Sequence, residues 1–225
     1  MTESTIAPPV PRKAGVLLIA ASVSFLLVIA SMIASVAAAG WPTEEPITHD
    51  LLDPIAFWRA ALGWTLVVPI SLAAVGSILL VRSARTEVPR LVTVTIDVWV
   101  LAVAATLAYA IAWQISLGFT TPTVLDDPAR SVALLIFSRF AIPLAALGSV
   151  GTALCLRAIG GGRRALLAVV VIGAVIAIAF AAGAHEVAPL PPAVLVGLWI
   201  PLAVSALRRA TRSGRQSTLL ISATT

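Results

Sequence analysis

The sequence predicts an all-α fold: a polytopic transmembrane bundle of six helices with both termini in the cytoplasm. Three observations predict it. Of the 225 residues, 60% are apolar and only 11% charged. The apolar residues fall into six long runs, and the basic residues gather between alternate runs. An ordinary soluble domain is about 45–50% apolar and about 25% charged. A chain this short leaves too much of its surface exposed to hide the excess in a soluble core. Lipid takes it up.

The runs cover residues 14–39, 60–81, 91–113, 132–156, 165–184 and 189–207. Each is 19 to 26 residues long, and about 20 residues of helix cross a hydrocarbon core of about 30 Å. Strands are excluded, because barrel strands run about 9–11 residues with alternating polarity. Backbone groups in hydrocarbon must bond within their own segment, so the runs are helices. The first run has a second reading. Arg12 and Lys13 precede it, and Ala37, Ala38 and Ala39 before Gly40 resemble a signal-peptidase site. Its 26 apolar residues exceed the about 7–15 of a signal h-region, which favours a retained span.

Orientation follows from the arginines and the single lysine. Arg12 and Lys13 precede the first span; Arg82, Arg85 and Arg90 separate the second and third. Arg157, Arg163 and Arg164 separate the fourth and fifth, and Arg208, Arg209, Arg212 and Arg215 follow the sixth. Twelve of the fifteen basic residues thus fall on one side, which positive-inside reasoning makes cytoplasmic. Seven acidic residues fall on the other: Glu44, Glu45, Asp50, Asp53, Asp126, Asp127 and Glu186. Trp41, Trp58, Trp64 and Trp113 all land near the expected outer boundary, where indoles prefer to sit. The organisation is a tail at 1–13, a six-helix domain at 14–207 and a basic tail at 208–225, read as polar and mobile beyond Ser213. The expected location is the bacterial plasma membrane.

Composition narrows the function classes. The net charge is +5, but the basic residues are spread in topological clusters and make no nucleic-acid face. Arginine outnumbers lysine 14 to 1, a codon-usage signature of a GC-rich bacterium. One cysteine, Cys155, allows no intrachain dithiol chemistry and reads as a small packing residue. No nucleophile–base constellation and no G-x-S-x-G elbow is present. No cofactor is expected, and anionic lipids are expected at the basic face.

Two ionisable residues fall inside predicted spans, where charge is functional by default. Asp97 lies six residues from the inner end of the third run, about 9 Å deep at 1.5 Å per residue. Arg139 lies seven residues from the outer end of the fourth, about 10 Å from the other face. Their depths differ by about 10 Å, and helical side chains lean toward their own N-terminus. They therefore lean apart. Arg139 can snorkel outward; Asp97 is short and needs a proton, a hydrogen-bond partner or water. Thr93 lies one turn before Asp97 on the same face. His49, His185 and Glu186 are weak external metal candidates, without the spacing of a metal motif. Gly160, Gly161 and Gly162 before Arg163 and Arg164 read as a tight turn rather than a phosphate loop.

Prolines fall unevenly. Pro69, Pro143 and Pro201 lie inside the second, fourth and sixth spans, marking sites of possible kinks. Arg12-Lys13-Ala14-Gly15 opening the first span, Phe57-Trp58-Arg59 before the second and the basic stretch 82–90 set the layout. That layout resembles small six-helix bacterial integral membrane proteins of unknown function, over about residues 12–210. The resemblance implies the fold and carries over no functional residue. The leading expectation is a non-enzymatic accessory or partner-binding membrane subunit. The alternative is a small transporter or permease with Asp97 as a proton- or cation-linked group. An intramembrane enzyme using the external acids ranks third.

Overall fold

The computed structural model describes residues 10–38, 56–116, 128–160, 163–182 and 191–222. Among the described residues there are six helices and no strand. They are α1 (Val10–Ala38), α2 (Ala56–Arg82), α3 (Pro89–Ser116), α4 (128–158), α5 (Arg163–Ala181) and α6 (Pro191–Ser222). Five are long and apolar enough to cross a membrane; the described apolar stretch of α5, Arg164–Phe180, is shorter. Three of the helices, α3, α4 and α6, begin on proline. A first-turn proline forfeits no intrahelical bond, and its fixed φ suits the helix. Gly160, just past α4, has φ +84°, a left-handed conformation that glycine adopts without a Cβ penalty.

Helix α6 departs from expectation. It continues to Ser222, through residues 213–222 that read as a mobile polar tail. The extension contains no proline, and Arg215, Gln216, Leu219 and Leu220 are good helix formers, so the helix tolerates the single Gly214.

Helix α4 is interrupted by its own chemistry. It is α-helical over Pro128–Ile136, π-helical over Phe137–Ala141 and α-helical again over Ile142–Ala158. Ile142 N–H donates to the Phe137 carbonyl, the five-residue step of a π-turn. Pro143 supplies the reason. It has no N–H for the Arg139 carbonyl, and its ring would strike that carbonyl in a regular helix. The extra residue relieves the conflict.

The helices form a ring in chain order, closed by α1 against α6. Helix α4 also reaches across to α2 and α6, so it sits nearest the centre. Its last four turns bury Ile142, Pro143, Ala145, Ala146, Gly148, Ser149, Thr152, Ala153, Cys155 and Leu156. These are mostly small residues, which let the backbones of neighbouring helices approach closely.

The contact of α3 with α4 is the most specific in the bundle. A Cβ on Gly148 would lie 2.7 Å from Trp99 Cε2, so the indole lies flat on bare backbone. Trp99 Nε1 donates to Thr152 Oγ1 at 3.2 Å. Thr152 in turn donates to the Gly148 carbonyl at 2.7 Å. One turn nearer the α2–α3 turn, the Thr95 side chain occupies the space a Cβ on Gly151 would need. Its hydroxyl donates back to the Leu91 carbonyl at 2.7 Å, the usual way a buried threonine satisfies itself in a helix.

Helix α1 belongs to the core. Ala14, Leu18, Ala21 and Phe25 are fully buried, and Phe25 meets fully buried Trp199 of α6 edge to face at 5.8 Å. At the opposite side of the ring Tyr109 of α3 packs on Phe137 of α4, centroids 4.8 Å apart. Trp113, expected at a boundary, is buried. Trp64 is half exposed, and Trp41 lies outside the described residues.

Candidate functional site

All four basic clusters meet at one end of the bundle. A Cβ on Gly15, two residues after Lys13, would lie 2.8 Å from Leu207, next to Arg208. One on Gly76, less than two turns before Arg82, would lie 3.1 Å from the Ala14 carbonyl. Arg209 Nη2 donates to the Ile159 carbonyl at 3.0 Å, tying the end of α6 to the end of α4. Arg12, Lys13, Arg82, Arg85, Arg90, Arg157, Arg164 and Arg208 are exposed there.

The candidate site lies at this end, between the close of α2 and the first turns of α3. Helix α2 stops at Arg82, whose charge suits a helix C-terminus. A compact turn follows, with Ser83 N–H bonded to Leu80 O and Ala84 N–H to Val81 O. The Ser83 hydroxyl also donates to Leu80 O, at 2.6 Å. Glu87 and Val88 N–H both donate to Ala84 O. Beneath the turn Val81, Ala84, Val92 and Cys155 pack as a small separate apolar cluster. Cys155 of α4 thus packs beneath the α2–α3 turn.

An open pocket of about 180 Å³ results, lined by Arg82, Arg85, Val92, Thr93, Ile96 and Asp97. Side chains of a helix lean toward its N-terminus. Arg82 on α2 therefore leans into the bundle's apolar belt, while Asp97 on antiparallel α3 leans toward the basic end. The two converge. Thr93 shares the pocket with Asp97, one turn away, and its hydroxyl donates to the Pro89 carbonyl at 3.1 Å. Both Thr93 and Asp97 are exposed. Two cations and one anion thus face a space floored by Val92 and Ile96.

The other sequence candidates lie elsewhere. Arg139 is exposed in the π-turn of α4 and is not among the residues lining this pocket. His49, His185 and Glu186 lie outside the described residues, as do Gly161 and Gly162. Among the described residues no group of three or more His, Cys, Asp or Glu is placed to hold a metal ion. Sequence reasoning missed Arg82 and Arg85, which it counted only as topological charges. A signal was there: each is within 15 residues of Asp97 across one tight turn, and the opposite directions of α2 and α3 turn Arg82 and Asp97 toward each other. It also missed two orphans. Trp199 Nε1 and Ser77 Oγ are buried without a hydrogen-bond partner.

No protein-family model, curated protein or solved structure matches the chain. Fold and site therefore define it only by class: an all-helical bundle with five described helices long and apolar enough to cross a membrane.

Proposed function

We propose that this chain is a multi-pass protein of the bacterial plasma membrane, with six spans, both termini in the cytoplasm, and an accessory, partner-binding role without catalysis. The basic end of the bundle supports the orientation, since basic residues are retained on the cytoplasmic side. A reporter that is active only in the cytoplasm, fused after Thr225, is expected to be active. A silent fusion whose periplasmic counterpart works would reverse the bundle.

One observation carries the partner-binding role: only 28% of an 18-residue stretch of α3 is buried, the least among the five long apolar helices, whose others range from 33% to 50%. Its outward face presents Leu101, Ala104, Ala108, Ile111 and Ile115 along one stripe. Ala104 and Ala108 are one turn apart, and small residues at that spacing let a second helix approach closely. The occupant is a helix of another membrane protein. The test is a photo-crosslinking side chain placed at Ala108 and, as control, at Val175 on the exposed face of α5. A discrete protein adduct from position 108 alone, abolished by Ala104→Phe, is expected. Equal lipid adducts from both positions would remove the proposal.

The pocket favours a second reading, a small transporter using Asp97. Against it, the polar residues that line the pocket, Arg82, Arg85, Thr93 and Asp97, are all exposed. Functional intramembrane charges more often face the bundle interior. Proton- or cation-linked uptake that Asp97→Leu abolishes would favour this reading over the first.

A further inference from the structure

We infer that the Arg82–Arg85–Asp97 pocket seats the headgroup of a phospholipid bearing a primary amine, with the phosphate on the two arginines and the ammonium on Asp97. The inference rests on the membrane placement proposed above and goes beyond the partner-binding role. Charge complementarity carries it. Arginine presents a rigid fork of donors that matches phosphate oxygens. A carboxylate in the same pocket accepts from an ammonium and repels a second phosphate. A purely anionic headgroup would satisfy the arginines and leave Asp97 facing negative charge. A headgroup with both charges satisfies all three.

Three features point to a lipid rather than a soluble phosphoamine. The pocket floor is Val92 and Ile96. The pocket lies at the basic end, where arginines meet a headgroup layer. Directly beyond it on α3, away from that end, Val100 is exposed at 57%, offering an acyl chain an apolar path continuous with the pocket.

The test uses the full chain in detergent, with phosphatidylethanolamine and phosphatidylglycerol of matched acyl chains added in equal amounts and bound lipid read by native mass spectrometry. Retention of phosphatidylethanolamine over phosphatidylglycerol by about tenfold is expected, the scale of one charge-assisted hydrogen bond. Asp97→Asn is expected to bring that ratio to about one, while Asp97→Glu preserves it. The double variant Arg82→Gln with Arg85→Gln is expected to lower retention of both lipids. All three positions are exposed, so the substitutions disturb no packed side chain. A ratio unchanged by Asp97→Asn would overturn the inference, as would displacement of lipid by an equal concentration of soluble phosphoethanolamine. A chain recovered from cells without detergent overturns the membrane placement. A chain that needs detergent yet holds both lipids equally overturns this inference alone.

Discussion

Gly148→Val is expected to destabilise the bundle by about 3 kcal/mol, the upper end of the range for overpacking a well-filled core. The location sets the size. Even the first carbon of the new side chain would lie 2.7 Å from Cε2, 2.8 Å from Cδ2 and 2.9 Å from Nε1 of Trp99. A flexible chain end could swing aside, but a fused ring cannot. Either the indole tilts or α3 moves away from α4. Both stretch the 3.2 Å bond from Trp99 to Thr152, leaving a buried N–H whose desolvation costs about 1–3 kcal/mol more. Unfolding in detergent, followed by steric trapping or denaturant titration, measures the loss. Shrinking the neighbour checks the cause: Trp99→Leu should restore part of the stability lost to Gly148→Ala. A coupling above about 0.5 kcal/mol between the two marks direct contact. Independent, additive losses would show that Gly148 is not held against the indole.

Trp199→Ala is expected to cost about 3–5 kcal/mol, while Trp199→Phe stays within about 1 kcal/mol of the parent. The alanine variant removes a fully buried ring that meets Phe25 edge to face across the α1–α6 seam. In the membrane placement proposed above, lipid is as apolar as the core, so the loss is one of packing contacts rather than of escape from water. That places the value near the lower bound. The phenylalanine variant keeps an aromatic edge against Phe25 and deletes an indole N–H that has no partner. Removing an unsatisfied donor offsets part of the lost volume. The two variants compared by one unfolding assay separate the roles. Equal damage from both would mean that the indole nitrogen is bonded after all.

Much of this architecture is legible along the chain. The apolar runs at 60–81, 91–113 and 132–156 correspond to α2, α3 and α4, each extended by one to four residues at its ends. Boundaries are readable because lipid sorts residues one at a time, and proline marks the first turns of α3, α4 and α6. Thr93 and Asp97 share a pocket, as their one-turn spacing suggests. The π-turn is half-readable: Pro143 announces a disturbance, but only the fold shows it absorbed by an extra residue at Phe137–Ala141.

The sequence by itself determined a set of helical rods long enough to cross lipid, and the grouping of basic residues at alternate ends. Each is a local property, set by the transfer energy of a residue or by the charge of a short loop. The tertiary structure alone decided which side of each rod meets a neighbour: Trp99 on Gly148, Phe25 on Trp199, Arg82 and Arg85 beside Asp97. A helix apolar on every side carries no stripe that points inward. The choice among its faces falls to the fit of ring against bare backbone, and that fit exists only once two helices are side by side.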